Sequence, residues 1–290
     1  MFHDYFTTRK NSTATWNPSD SLESYKPVNV DGSLNYTIDD FSYTFNSDGF
    51  RCDGFSDLSD FPVAFMGCSY TEGIGLPLHE VWVNYIIDRI IKKHSGAKIP
   101  VWNLGIGGTG IDFAARAFVK YAPVLKPKYI FYLLSSATRR EFAYGDERIQ
   151  LWFPKATSPF QPSMAFNLMG RLFADEHYAL YRTYISLLLM QQTAKLSNTK
   201  IFVFDMAYDL IDDTKKAQIF TYLENIEYFK LTQYPFFHRN LLEGIPLAKE
   251  MHYLRERPIL ARDNIHPGAI WQCNIADQIW DLVKDKIISA

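Results

Sequence analysis

From residue 62 onward the chain alternates short, continuous apolar runs with longer stretches whose apolar positions recur every three to four residues. The short runs, 62–66, 99–104, 129–134 and 201–204, have strand length and are rich in β-branched and aromatic residues. Between the first two, residues 78–93 place Val81, Trp82, Tyr85, Ile86 and Ile90 at helical spacing. Residues 111–121 and 170–196 read as further helices. The chain closes on 267–288, an amphipathic helix with Pro267 in its first turn, where a missing N–H costs nothing. Runs that are apolar throughout belong to strands buried on both faces. Strand–helix alternation at this spacing therefore predicts a mostly parallel sheet covered on both sides.

Residues 1–59 follow another pattern. They are rich in Ser, Thr, Asn and Asp, and alternation appears only at 34–38 and 41–45, with turn residues at Asp39-Asp40 and Asn46-Ser47-Asp48-Gly49. The expected organisation is an N-terminal loop and β-hairpin extension over 1–59 and one α/β domain over 60–290. Within that domain, 141–169 is an irregular segment rich in proline and aromatics. A loop of that length serves as a lid or binding wall, or is a surface insertion.

Composition narrows the function classes. Hydrophobic residues make up 47% of the 290, enough for a sizeable core; aromatics reach 16%, which suits either packing or an apolar groove. Thirty basic against 32 acidic residues, with no basic tract, argues against a dedicated binder of nucleic acid or anionic membrane. No apolar stretch approaches the roughly 18 residues of a membrane span, and the N-terminus lacks a signal-peptide pattern. Three cysteines, Cys52, Cys68 and Cys273, have no metal-type spacing and are too few for a disulfide framework. The expectation is a soluble protein of a reducing compartment, cytoplasmic in location.

The chemistry concentrates in three places. The run 62–66 feeds Gly67-Cys68-Ser69, which presents a hydroxyl at the C-terminal end of a strand, where open α/β sheets place their sites. A serine is a poor nucleophile until an imidazole takes its proton and a carboxylate orients that imidazole. Asp263-Asn264-Ile265-His266 can supply both groups, although taken alone Asp-x-x-His also reads as a turn before a helix. His3, His79, His94, His177, His238 and His252 lack such a partner and read as structural or solvated. Cys68 is an alternative nucleophile; neighbours on a tight turn point apart, and Ser69 with a paired His and Asp makes the complete set. The third place is Asn103-Leu104-Gly105-Ile106-Gly107-Gly108-Thr109-Gly110, which contains G-x-G-x-x-G. A dinucleotide site would need a carboxylate ending the next strand, and that strand ends in Leu134-Ser135-Ser136. The glycines can instead free a backbone N–H for an oxyanion, or simply form a turn.

In this order the three blocks resemble the SGNH (GDSL-type) hydrolase family over about residues 60–290. Gly67-Cys68-Ser69-Tyr70-Thr71 is similar to its nucleophile block, with Cys68 where the family has aspartate. Asn103-x-Gly105-x-Gly107-Gly108 is similar to its second block, and Asp263-x-x-His266 to its closing block. The resemblance implies a flavodoxin-like three-layer α/β/α sandwich with a mostly parallel five-stranded sheet. It implies hydrolysis of ester-linked acyl groups without a metal or organic cofactor, on a small-molecule or carbohydrate ester, through Ser69, His266 and Asp263, with the amides of Ser69 and Gly108 as the oxyanion hole. An imidazole base predicts activity that falls as it protonates, near pH 6–7 for an unperturbed ring. Asn46-Ser47-Asp48-Gly49-Phe50-Arg51 resembles a lead-in of some bacterial and phage members. The family's third-block asparagine is missing after Leu134, where Ser136, Thr138 or Arg139 stands as the replacement donor; Arg139 could also hold a substrate anion or pair with Glu141. Loss of one such donor costs roughly two to three orders of magnitude in rate. An acyltransferase on the same scaffold and a virion-associated binding or structural protein therefore remain as alternatives.

Overall fold

A computed structural model describes residues 9–17, 20–22, 25, 36–37, 39–55, 62–94, 99–144, 147–152, 175–206, 212–231, 260–263 and 266–287. The N-terminal segment contributes two short strands, β1 (Thr13–Ala14) and β2 (Tyr43–Thr44), which pair antiparallel. The alternating stretch at 41–45 thus finds its partner at Thr13 and Ala14. Tyr36 and Thr37 carry no strand, and 34–35 lie outside the described residues.

The apolar runs become strands β3 (Val63–Met66), β4 (Val101–Asn103), β5 (Tyr129–Leu133) and β8 (Lys200–Asp205). With β9 (Ile226–Lys230) they form one parallel sheet in the order β4-β3-β5-β8-β9. The first strand of this sheet therefore has the second on one side and the third on the other, the flavodoxin-like arrangement whose chain reversal opens a crevice at the carboxyl ends of β3 and β5.

Both faces are covered. Val63, Phe65, Phe131, Phe202 and Phe204 pack against α2 (Trp82–Lys93) and α6 (Ala269–Val283). Ala64, Met66, Ile130, Tyr132, Ile201 and Val203 point the other way, onto α3 (Ile111–Leu125) and α4 (Glu176–Ser197). The split follows from the strand period of two: residues adjacent in sequence serve opposite cores. Register explains much of the aromatic content. Phe65 stacks on Phe131, Phe131 on Phe204 and Phe204 on Phe229, with centroids 5.2, 6.1 and 5.5 Å apart, a ladder of rings across four strands. Among the described residues no helix is long and apolar enough to cross a membrane.

Besides β1 and the edge strand β9, four further elements carry no clear sequence signal. α1 (Ser69–Glu72) is a single turn, and α5 (Asp213–Phe220) is capped by the Asp212 carboxylate, which accepts from Thr214 and Lys215 N–H. The start of the expected irregular segment is an antiparallel hairpin, β6 (Arg139–Tyr144) with β7 (Glu147–Trp152); 153–174 lie outside the described residues.

Candidate active site

Ser69 lies just beyond the C-terminal end of β3, as the first residue of α1, and is 5% exposed. Gly67 makes that position possible. Its φ is +156°, and a Cβ there would clash with Thr71 Oγ1 and stand 3.1 Å from Leu133 O. Only a residue without a side chain lets the strand turn this sharply into a helix. Cys68 is buried beside it, with Sγ 3.9 Å from Ser69 Oγ.

The glycine-rich segment after β4 packs directly on this turn. Asn103 Nδ2 donates to Thr71 O at 2.6 Å and Asn103 Oδ1 accepts Gly105 N–H at 3.0 Å, so one amide side chain ties the two loops together. A Cβ on Gly105 would meet Thr71 Cβ at 2.6 Å, and one on Gly107 would lie 3.7 Å from Ser69 Cβ. Ile106 to Thr109 form a β-turn, with Thr109 N–H donating to Ile106 O at 3.3 Å and Gly108 left-handed at φ +77°. Gly108 is exposed, with nothing within 4 Å of where a Cβ would be, so it borders open space. Gly108→Ala is therefore expected to cost about 1–2 kcal/mol through backbone strain alone. The check is a lower urea midpoint at unchanged slope.

The second half of the site comes from far along the chain. Ala261 N–H donates to His266 O at 2.9 Å, and Leu260 bridges Pro267, closing a tight loop ahead of α6. Inside it Asp263 holds His266 twice. Oδ1 accepts the His266 backbone N–H at 3.0 Å, and Oδ2 lies 2.5 Å from Nδ1. Asp263 is fully buried and the His266 side chain is 12% exposed. With Nδ1 committed to the carboxylate, Nε2 is the nitrogen left for other work.

Contacts from this loop and from α6 hold it against the Ser69 turn. The Tyr70 ring meets the His266 ring edge-on at 5.8 Å. Arg262 N–H donates to Gly75 O at 2.8 Å. Gln272 accepts Trp82 N–H through Oε1 at 3.1 Å and donates to Tyr70 O at 3.4 Å. Burial first, then Cys68 and Asp263, push the Tyr70 phenol up to about 12 against the pull of nearby Arg139, so it is neutral. Tyr70 stands inside the nucleophile block without a role of its own and Gln272 outside every block, since an aromatic and an amide on helical stretches carry no signal of their own.

The N-terminal segment is built into the same place. Arg51 is buried and donates to Glu72 O, Gly73 O and Leu76 O at 3.2, 2.6 and 2.7 Å, with its guanidinium 4.4 Å from the Tyr43 ring centre. Burial, then Asp20, raise the Tyr43 phenol; it stays protonated, donates to Asp20 and accepts Gly75 N–H at 2.7 Å. Where the third-block asparagine would stand, the Ser136 and Thr138 hydroxyls bond each other at 2.9 Å. Glu141 accepts from Arg116, at 2.5 and 3.0 Å.

No protein-family model matches the chain, and no curated protein matches it. Solved structures do. One is TesA, at 16% identity and a TM-score of 0.46 over 77% of this chain and 98% of that one. Another is the psychrotrophic esterase EstA from Pseudoalteromonas sp., at 14% and 0.47 over 79% and 99%. A GDSL-like lipase from Bacteroides thetaiotaomicron is similar at 14% and 0.39 over 78% and 89%. The solved structures similar to this chain thus include one described as an esterase and one described as a GDSL-like lipase, both at 14% identity.

Proposed function

We propose that the protein is a serine esterase that hydrolyses ester-linked acyl groups. Ser69 is the nucleophile, His266 the general base and then acid, and Asp263 the group that orients the imidazole. The observation that carries this reading is the Asp263–His266 pair, with Nδ1 and Oδ2 2.5 Å apart and the ring resting edge-on against Tyr70, the residue next to Ser69. A buried carboxylate fixing Nδ1 leaves Nε2 to take a proton from a hydroxyl and return it to the leaving alcohol. The amides of Ser69 and Gly108 receive the oxyanion of each tetrahedral intermediate, and water releases the acyl-enzyme. Small acyl groups on carbohydrate are the first substrates to test, on the strength of the sequence resemblance.

Labelling with a fluorophosphonate tests the reading most directly. One adduct is expected, and peptide mass analysis should place it on Ser69. An adduct on Cys68, or correctly folded protein that takes none, would remove the serine esterase proposal.

A further inference from the structure

We propose that Glu72 is a positioning residue for this reaction, one that holds the turn presenting the Gly108 amide, and that Arg9 neutralises it there. The assignment rests on the esterase reading above. Glu72 ends the short helix that Ser69 begins, and its side chain is 1% exposed. Oε2 accepts the Gly107 N–H at 2.5 Å. Oε1 accepts Asn17 Nδ2 at 3.1 Å and pairs with the Arg9 guanidinium. A Cβ on Gly107 would lie 3.1 Å from Glu72 Oε2 and 3.7 Å from Ser69 Cβ, so carboxylate, glycine and nucleophile meet at one point.

Two consecutive glycines form the most pliable piece of backbone a chain can offer. The peptide joining Gly107 to Gly108 would sample several orientations unless both ends were fixed. Thr109 fixes one end, donating to Ile106 O through its amide and, at 2.7 Å, through its hydroxyl. Glu72 fixes the other by holding the Gly107 amide. Donors already in place when charge develops stabilise it without reorganisation, which is why such groups contribute so strongly to rate.

A carboxylate in this position also carries a cost. Uncompensated, its charge would oppose the negative charge growing on the substrate oxygen. Arg9 removes that opposition. It arrives from outside the α/β core, with its guanidinium 3.9 Å from the Phe45 ring centre and its segment anchored by Asn11 N–H to Asn46 O at 3.0 Å. The N-terminal segment thereby enters the electrostatics of the reaction as well as the packing.

The test is kcat per active site on p-nitrophenyl acetate, with sites counted by fluorophosphonate titration so that misfolded protein drops out. Glu72→Ala is expected to lower kcat by about 10²–10³-fold with KM little changed, the signature of a lost transition-state interaction. Glu72→Gln keeps an oxygen for Gly107 N–H and should recover most of that loss. Arg9→Met should slow the wild-type background and have little effect beside Glu72→Gln, a coupling read by the double-mutant cycle even if Glu72→Ala does not fold. The assignment is overturned by Glu72→Ala at the wild-type kcat, by Glu72→Gln as slow as Glu72→Ala, or by Arg9→Met equally slow in both backgrounds. Wild-type protein without an adduct on Ser69 instead sinks the esterase reading, and this assignment with it; a labelled wild type beside unaffected variants sinks this assignment alone.

Discussion

Ser69→Ala is expected to reduce kcat on a small acyl ester by about six orders of magnitude, and Asp263→Asn by about four. The two losses differ because the groups act differently. Without Ser69 Oγ no acyl-enzyme forms, and what remains is binding and the pull of the backbone amides on the carbonyl. With asparagine at 263 the nucleophile is intact, but an amide in the carboxylate's place, buried and 2.5 Å from Nδ1, no longer holds the imidazole in the tautomer with a basic Nε2. The two changes should be far from additive, since each disables the same proton transfer. Single-turnover rates on titrated protein check this, and an Asp263→Asn variant within tenfold of wild type would exclude Asp263 as the orienting acid.

Asp20→Ala is expected to destabilise the fold by about 3–5 kcal/mol, because it leaves a buried guanidinium without its counter-charge. Asp20 and Arg262 are both fully buried, with Oδ2 and Nη2 2.7 Å apart and Nε within 3.2 Å of Oδ1. Arg262 also donates to Thr15 O at 2.5 Å and Phe41 O at 3.3 Å, with the Trp16 and Phe41 ring centres 4.6 and 3.9 Å from its guanidinium carbon. One side chain therefore joins the N-terminal segment to the loop carrying Asp263. Its backbone N–H reaches Gly75 in the nucleophile loop, so a shift at Arg262 moves both halves of the site. The expected result is a lower denaturation midpoint together with lower kcat in the fraction that stays folded. Unchanged stability would mean that water reaches the guanidinium once Asp20 is gone.

Periodicity located the strands at 62–66, 99–104, 129–134 and 201–204 because a strand buried on both faces must be apolar throughout, and no loop reads that way. The fifth strand escaped. Ile226–Lys230 lies at the sheet edge, partly exposed, and its Glu227 and Lys230 break the apolar run. α1 is too short for any periodicity, and the 139–152 hairpin begins with Arg139-Arg140-Glu141, which carries no clear alternation.

In the proposed site, the candidate reactive groups are legible in the chain: Ser69 after a strand and a glycine, the Asp263–His266 spacing, and the glycines ending at Gly108. Their supports were not. Arg9, Asp20, Arg51, Glu72 and Arg262 look like ordinary surface charges in the chain, and only folding reveals that each is largely buried against carbonyls, rings or an opposite charge. Linear order alone establishes the alternating α/β pattern and the chemical identity of the candidate groups, since both depend on neighbours within a few residues. Which distant charges meet, and how Tyr70 comes to lie against His266, was decided by tertiary structure, because such contacts depend on how sheet order and helix packing bring together segments nearly two hundred residues apart.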